Sequence, residues 1–153
     1  MSPFLLPVAF VAALLAADVD VIPAYEEGSV QRLDGAGSVR YLSGGVGSEA
    51  REGLARAGKA FPLKVVLATS PGGRYLALAG LTVLDEQGKA VVKLEGLGPW
   101  IYLDLPAGSY RLEGLRKEGG AATAGPVTIV PGRQLVVPLF FPEGPRDRNP
   151  AGS

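Results

Sequence analysis

Hydrophobic residues recur at every second position along most of the chain beyond Phe61. This spacing is typical of β-strands that bury one face, and Pro and Gly between the apolar segments mark the turns. The pattern predicts about seven strands over residues 61–141. Because a half-apolar sheet must cover its face, the predicted fold class is all-β, an antiparallel β-sandwich of two sheets. A closed barrel is the alternative.

Two positions refine this prediction. The apolar phase slips at Gly80, and one extra residue in a β-bulge would absorb the slip. The last strand, Leu135 to Phe141, contains Pro138. Because proline has no amide donor, we expect this strand at the edge of a sheet.

Residues 18–60 show no clear period, and we expect an irregular lead segment with one short strand near Val39 to Leu42. One helix is predicted at residues 49–57, with Ser48 as its N-cap and Gly58 at its end. The polar tail from 142 to 153 is expected to fray.

The first 17 residues carry no charge and are apolar from Pro3 to Ala17, 15 residues. A membrane span needs roughly 20. Because small residues precede Asp18, residues 1–17 are predicted to be a signal peptide cleaved after Ala17. An uncleaved anchor or a buried helix is the alternative, since no Lys or Arg precedes the apolar stretch. The predicted location is periplasmic or secreted, with no membrane span in the mature chain.

The amino-acid composition excludes several kinds of ligand and of catalytic site. Lys plus Arg and Asp plus Glu both number 15, so no net positive charge attracts nucleic acid. The chain has no Cys and no His, which removes disulfides, thiolate chemistry, the commonest metal ligand and the commonest general base. We therefore predict no catalytic residues, no metal site and no cofactor.

A family resemblance is carried by two short motifs, Leu81-Thr82-Val83-Leu84-Asp85 before Gly88-Lys89-Ala90-Val91, and Leu105-Pro106-Ala107-Gly108-Ser109-Tyr110-Arg111-Leu112. With them, the span from Leu81 to Val137 resembles carboxypeptidase regulatory-like domains, which are transthyretin-like or prealbumin-like β-sandwiches. The resemblance implies that Tyr110 lies in the core, and it implies no particular function. Residues 41–47 and the helix also resemble small exported bacterial proteins that carry such a domain.

Two branches of related folds do not fit. Transthyretin-like hydrolases of purine breakdown require His and a C-terminal Tyr-Arg-Gly-Ser-like motif, which this chain lacks. Collagen-adhesin B-type domains join a first-strand Lys to an Asn of the last strand. Lys64 could occupy the first position, but the strand from Leu135 to Phe141 has no Asn or Asp, so we expect no crosslink.

The adjacent acid pairs are Glu26-Glu27 and Asp85-Glu86. We expect them to be solvated acids of the lead segment and of a turn, so a hydrolase that uses paired carboxylates is a remote alternative.

Two candidate binding sites remain. Trp100 and Tyr102 share one strand face near Asp104, and such aromatic faces with a carboxylate suit a saccharide or peptide. The alternative is that the helix or the lead segment covers them. The loop residues Gly44, Gly45, Gly47 and Ser48 precede the helix and could cradle an anion, with a flexible hinge and helix cap as the alternative.

These observations predict a non-enzymatic exported accessory domain of the carboxypeptidase regulatory-like type that contacts an envelope protein or a saccharide. The alternative is a purely structural envelope module that pairs with a partner through an edge strand.

Overall fold

The computed structural model describes residues 25–77, 79–117 and 119–143. The predicted signal peptide and most of the predicted tail lie outside these residues. Those described form one helix and nine strands: β1 Tyr25–Gln31, β2 Ser38–Gly44, α1 Ser48–Ala57, β3 Leu63–Ser70, β4 Ala79–Leu84, β5 Ala90–Leu97, β6 Trp100–Leu103, β7 Gly108–Arg116, β8 Ala121–Ile129 and β9 Leu135–Pro142.

The strands form two sheets, as the apolar alternation predicts for a sandwich. Sheet A has the order β1-β2-β6-β3-β9, and sheet B has the order β5-β4-β7-β8. Neighbouring strands are antiparallel except for β3 and β9, which run parallel. The prediction of a wholly antiparallel sandwich is wrong for this pair. A tight turn forces antiparallel pairing, but β3 and β9 are far apart in the chain and no turn sets their relative direction.

The main hydrophobic core lies between the sheets and is built from every second residue of the strands. Its fully buried members include Leu63, Val65, Leu67, Val83, Leu112, Leu139 and Phe141. Burying such side chains supplies most of the free energy that stabilises a sandwich.

Sheet A includes strands from the segment that the sequence suggested was irregular. The strand predicted near Val39 to Leu42 is confirmed as part of β2, and β1 pairs with it from Tyr25 to Gln31. β1 was missed because only two of its seven residues, Tyr25 and Val30, are apolar. An edge strand needs little burial, so it carries little period-two signal.

The predicted helix is confirmed, although its N-cap is Gly47 and Ser48 is its first residue. The N-cap residue Gly47 has a φ of 93°, which glycine adopts without strain but a residue with a Cβ rarely adopts. The helix therefore begins one residue earlier than predicted, with Ser48 inside it. Gly58 ends the helix, as predicted, and its amide donates to the Leu54 carbonyl at 2.8 Å.

Both refinements of the strand pattern are confirmed. The β4–β5 register shifts between Ala79 and Leu81, where the bulge at Gly80 was predicted. Pro138 lies in β9, which is the last strand of sheet A.

Tyr110 is buried in the main core, and its hydroxyl donates to the Pro106 carbonyl at 2.8 Å. Removing this donor by Tyr110→Phe should lower the free energy of unfolding by about 1 kcal/mol, the usual net contribution of such a bond. Urea denaturation measures the change. Ser109→Ala is the control, because the Ser109 hydroxyl lies at the surface, 3.3 Å from that of Thr128. Equal stability of Tyr110→Phe and the parent would contradict the structural role of this bond.

Candidate functional site

The outer faces of the two sheets differ in polarity. That of sheet B is mostly polar, with Leu115 as an exposed apolar side chain among Thr82, Lys93, Glu95, Arg111, Glu113 and Thr123. The outer face of sheet A carries polar residues such as Glu27 and Arg40 on β1 and β2, but it also carries a second hydrophobic cluster beneath α1, formed by Leu42, Leu54, Phe61 and Tyr102. A buried apolar cluster on the outer face of one sheet indicates that this part of the face is used for packing or binding.

Helix α1 covers the part of this face that contains Tyr102. Leu54 is the one fully buried residue of the helix. Gly58 lies so close to Tyr102 that a Cβ there would be 2.4 Å from the ring, and Phe61 packs edge-on at a centroid distance of 6.2 Å. Tyr102 is 1% exposed, and burial raises its pKa. Tyr102 is therefore covered by the helix, and a ligand could reach it only if α1 moved.

Trp100 shares the outer face with Tyr102, as the alternation predicts, but it is only partly buried. The Lys64 Nζ lies 3.4 Å from the centroid of the Trp100 ring, and the guanidinium carbon of Arg51 lies 6.0 Å from it. Tyr75 meets Trp100 edge-on at 6.1 Å and has Arg51 4.8 Å above its own ring. We call Arg51, Lys64, Tyr75 and Trp100 the cation–aromatic cluster.

Four separate elements position the cluster. In β3, Lys64 pairs with Tyr102 of β6 and so lies one step diagonally from Trp100. Tyr75 follows β3 and bridges back to Ala68. Arg51 projects from α1, and its Nη1 donates to the Gly45 carbonyl at 3.0 Å. The backbone of β3, β6, the segment after β3 and α1 therefore fixes where both cations can lie.

Within residues 25–77, 79–117 and 119–143, no ion pair involves Arg51 or Lys64. Arg32 pairs with Asp34 and Arg40 with Asp104, away from the cluster. Burial lowers the pKa of the Lys64 ammonium below its ordinary value. Among the described residues, the indole Nε1 of Trp100 is buried without an acceptor, so it is not accessible to a ligand. The two cations beside the indole suit an anionic ligand, because charge-assisted hydrogen bonds are the strong ones.

The structure does not bring Asp104 to the cluster. Asp104 follows the last residue of β6, whereas Trp100 is the first, and four residues of strand span about 13 Å. The Asp104 carboxylate lies 3.7 Å from Arg40 Nη1 at the surface.

The predicted anion-binding loop holds two residues with positive φ, Gly45 at 101° and Gly47 at 93°. Gly44 belongs to β2, and the loop borders a cavity lined also by Ser48, Glu49 and Arg56. Glu49 and Arg56 bring opposite charges to this cavity, and the helix has no side-chain cap hydrogen bond, so the loop geometry favours neither the anion nest nor the helix cap.

A strip of apolar residues lies on the outer face of sheet A, from the cation–aromatic cluster to the edge strand β9. It consists of Val66, Val136, Pro138 and Phe140. Val66 pairs with Pro138, and Val136 and Phe140 are each 53% exposed. The sequence did contain a signal for the strip, since residues 135–142 are apolar in both phases. No sequence pattern predicts that Arg51 and Tyr75 belong to the site, because only the tertiary fold brings them to Trp100.

The acid pairs lie in ordinary structural settings. Glu26 and Glu27 are consecutive residues of the edge strand β1. The Asp85 Oδ1 accepts hydrogen bonds from the amides of Gln87 and Lys89, both at 2.9 Å, which stabilises the turn before β5. Across residues 25–77, 79–117 and 119–143, acidic side chains form no group of three that could hold a metal ion.

Helix α1 has ten residues, and no helix in the described part of the chain is both long and apolar enough to cross a membrane. Compared with family models, with characterised proteins and with solved structures, the chain matches none. The resemblance to carboxypeptidase regulatory-like domains stays a prediction from the motifs that carry it.

Proposed function

We propose that this protein is a non-enzymatic, exported accessory domain that binds an anionic partner through the cation–aromatic cluster. The observation that carries the proposal is the packing of Lys64 and Arg51 on Trp100 and Tyr75 without an acidic partner among the described residues. The apolar N-terminal segment supports export to the periplasm or the medium.

The energetic setting of Lys64 supports a binding role. Desolvating an ammonium without pairing it costs free energy, and the contact with the indole offsets only part of this cost. A ligand carboxylate would supply the missing partner. We therefore expect the partner to carry carboxylates, either on an envelope protein or on an acidic saccharide.

The edge-pairing alternative is less well supported on β9. The Leu135 amide donates to the Pro62 carbonyl and the Glu143 amide to that of Ser70, so odd-numbered amides of β9 point to β3. The backbone N–H groups of even-numbered residues in β9 would then point to the free edge, but two of these residues are prolines, Pro138 and Pro142, which have no N–H. Because both lack a donor, this edge is poorly suited to adding a strand.

Titration with soluble carboxylated probes tests the proposal. We expect polyuronate or a Glu-rich peptide to bind the protein, and Trp100→Ala or the pair Arg51→Gln with Lys64→Met to weaken binding about tenfold. Lys64→Met keeps the packed stem and removes a desolvated charge, so it should not lower stability. Calorimetry measures the affinity, and the fluorescence of Trp100, the sole tryptophan, reports binding to the parent.

Lys93→Gln is the matched control, because Lys93 is an exposed cation on the outer face of sheet B. The Lys93→Gln variant should bind the carboxylated probes with the same affinity as the parent. The proposal is refuted if no carboxylated probe binds, or if the Trp100 and Lys93 variants bind equally well.

A further inference from the structure

We infer that the partner is a polypeptide segment that presents apolar and acidic side chains on the same face, so that it lies on the apolar strip with its carboxylates toward Lys64 and Arg51. The inference rests on the proposed function, because the strip and the cluster share the outer face of sheet A. It adds the chemical class of the partner.

The composition of β9 is the first argument. Its inward residues, Val137, Leu139 and Phe141, are buried in the main core, as expected of a sandwich strand. Its outward residues are Val136, Pro138 and Phe140, with no polar side chain among them. Solvated edge strands normally carry polar or charged residues outward, and the outer face of sheet B does so. An edge strand that is apolar on both faces indicates that its outer face also makes contacts.

The continuity of the strip with the cations is the second argument. Across the β3–β9 pairing, Val136 lies beside Lys64, and Phe140 lies beside Ala68, which is bridged to Tyr75. Apolar contact area and positive charge therefore adjoin on one face. A partner that complements both must carry apolar side chains and carboxylates in the same segment.

A saccharide complements this surface less well. The Lys64 Nζ already lies over the Trp100 ring at 3.4 Å from its centroid, in a position that a stacked sugar ring would need, and Arg51 lies 6.0 Å from the same centroid. The aliphatic and phenyl groups of Val136 and Phe140 offer no hydrogen bonds to hydroxyl groups. Apolar side chains from a polypeptide would instead bury this area directly.

Three labelled synthetic peptides of equal length test the inference in fluorescence polarisation. The first repeats Leu-Leu-Glu-Glu, the second Leu-Leu-Lys-Lys and the third Ser-Ser-Glu-Glu, so that each face of an extended peptide carries both residue types. We expect the Leu–Glu peptide to bind the full-length protein at least about tenfold more tightly than either of the others. The double variant Val136→Ser with Phe140→Ser should lose about tenfold of this affinity.

Leu115→Ser is the control, because Leu115 is 64% exposed on the outer face of sheet B. It should bind the Leu–Glu peptide as the parent does. Circular dichroism and urea denaturation show whether each variant keeps the parent's fold. Undiminished peptide binding by the double variant, or equal binding of the Ser–Glu peptide, would overturn the inference.

Polyuronate separates this inference from the proposed function. If polyuronate binds and depends on Trp100 while the double variant has no effect on any probe, the inference fails and the proposed function stands. If neither polyuronate nor any carboxylated peptide binds, both fail.

Discussion

Gly98→Ala should lower the free energy of unfolding by about 3 kcal/mol, at the upper end of the usual cost of overpacking. Gly98 joins β5 to β6 and lies against β2. A Cβ there would be 2.7 Å from the Gly44 Cα and 2.8 Å from its carbonyl oxygen. These are backbone atoms, so no side chain can turn aside, and β2 must move away from β6. The same movement would strain the hydrogen bond that the Gly98 amide donates to the Ser43 hydroxyl at 2.8 Å.

Urea denaturation followed by the fluorescence of Trp100 measures this loss. Gly53→Ala is the matched control, because Gly53 lies within α1 and the nearest atom to an added Cβ is the Arg56 Nη2, 4.0 Å away. Alanine there should raise stability by about 0.5–1 kcal/mol through helix propensity. Two glycine-to-alanine changes should therefore have opposite signs, and a neutral Gly98→Ala would show that the β2–β6 contact is looser than described.

The sequence predicts those features of the fold that depend on local chemistry. The period of two predicts two layered sheets, Gly58 marks the end of the helix, and Pro138 marks an edge strand. The first follows from the alternation of side chains along a strand, and the other two follow from the conformational range of glycine and the missing amide donor of proline. The strand β1 leaves little trace because five of its seven residues are not apolar. The parallel β3–β9 pair depends on long-range pairing, which no short stretch of sequence specifies.

The candidate site could be predicted only in part, for the same reason. Alternation places Trp100 and Tyr102 on one face, and the structure has both there. The different exposure of the two aromatics depends on where α1 packs, and no local pattern specifies this. The contact of Lys64 with Trp100 arises from the register between β3 and β6, which the sequence of neither strand specifies.

The adjacent residues Phe140 and Phe141 should respond very differently to the same substitution. Phe141→Ala should lower the free energy of unfolding by about 3–5 kcal/mol, because it leaves a cavity in the core. The Phe141 ring is fully buried and fills the space above Gly114, where an added Cβ would be 2.6 Å from its Cζ. Thermal and urea unfolding both measure the loss, with the transition midpoint falling by many degrees.

Phe140→Ala is the internal control, since it removes the same side chain from the outer face of the same strand. Phe140 is 53% exposed, so its loss should change stability by no more than about 0.5 kcal/mol. The affinity for the Leu–Glu peptide should show the reverse order: Phe140→Ala should weaken it more than Phe141→Ala, because Phe140 belongs to the apolar strip. A Phe140→Ala variant as unstable as Phe141→Ala would mean that Phe140 is already buried within the chain, and the strip would then not be available to a partner.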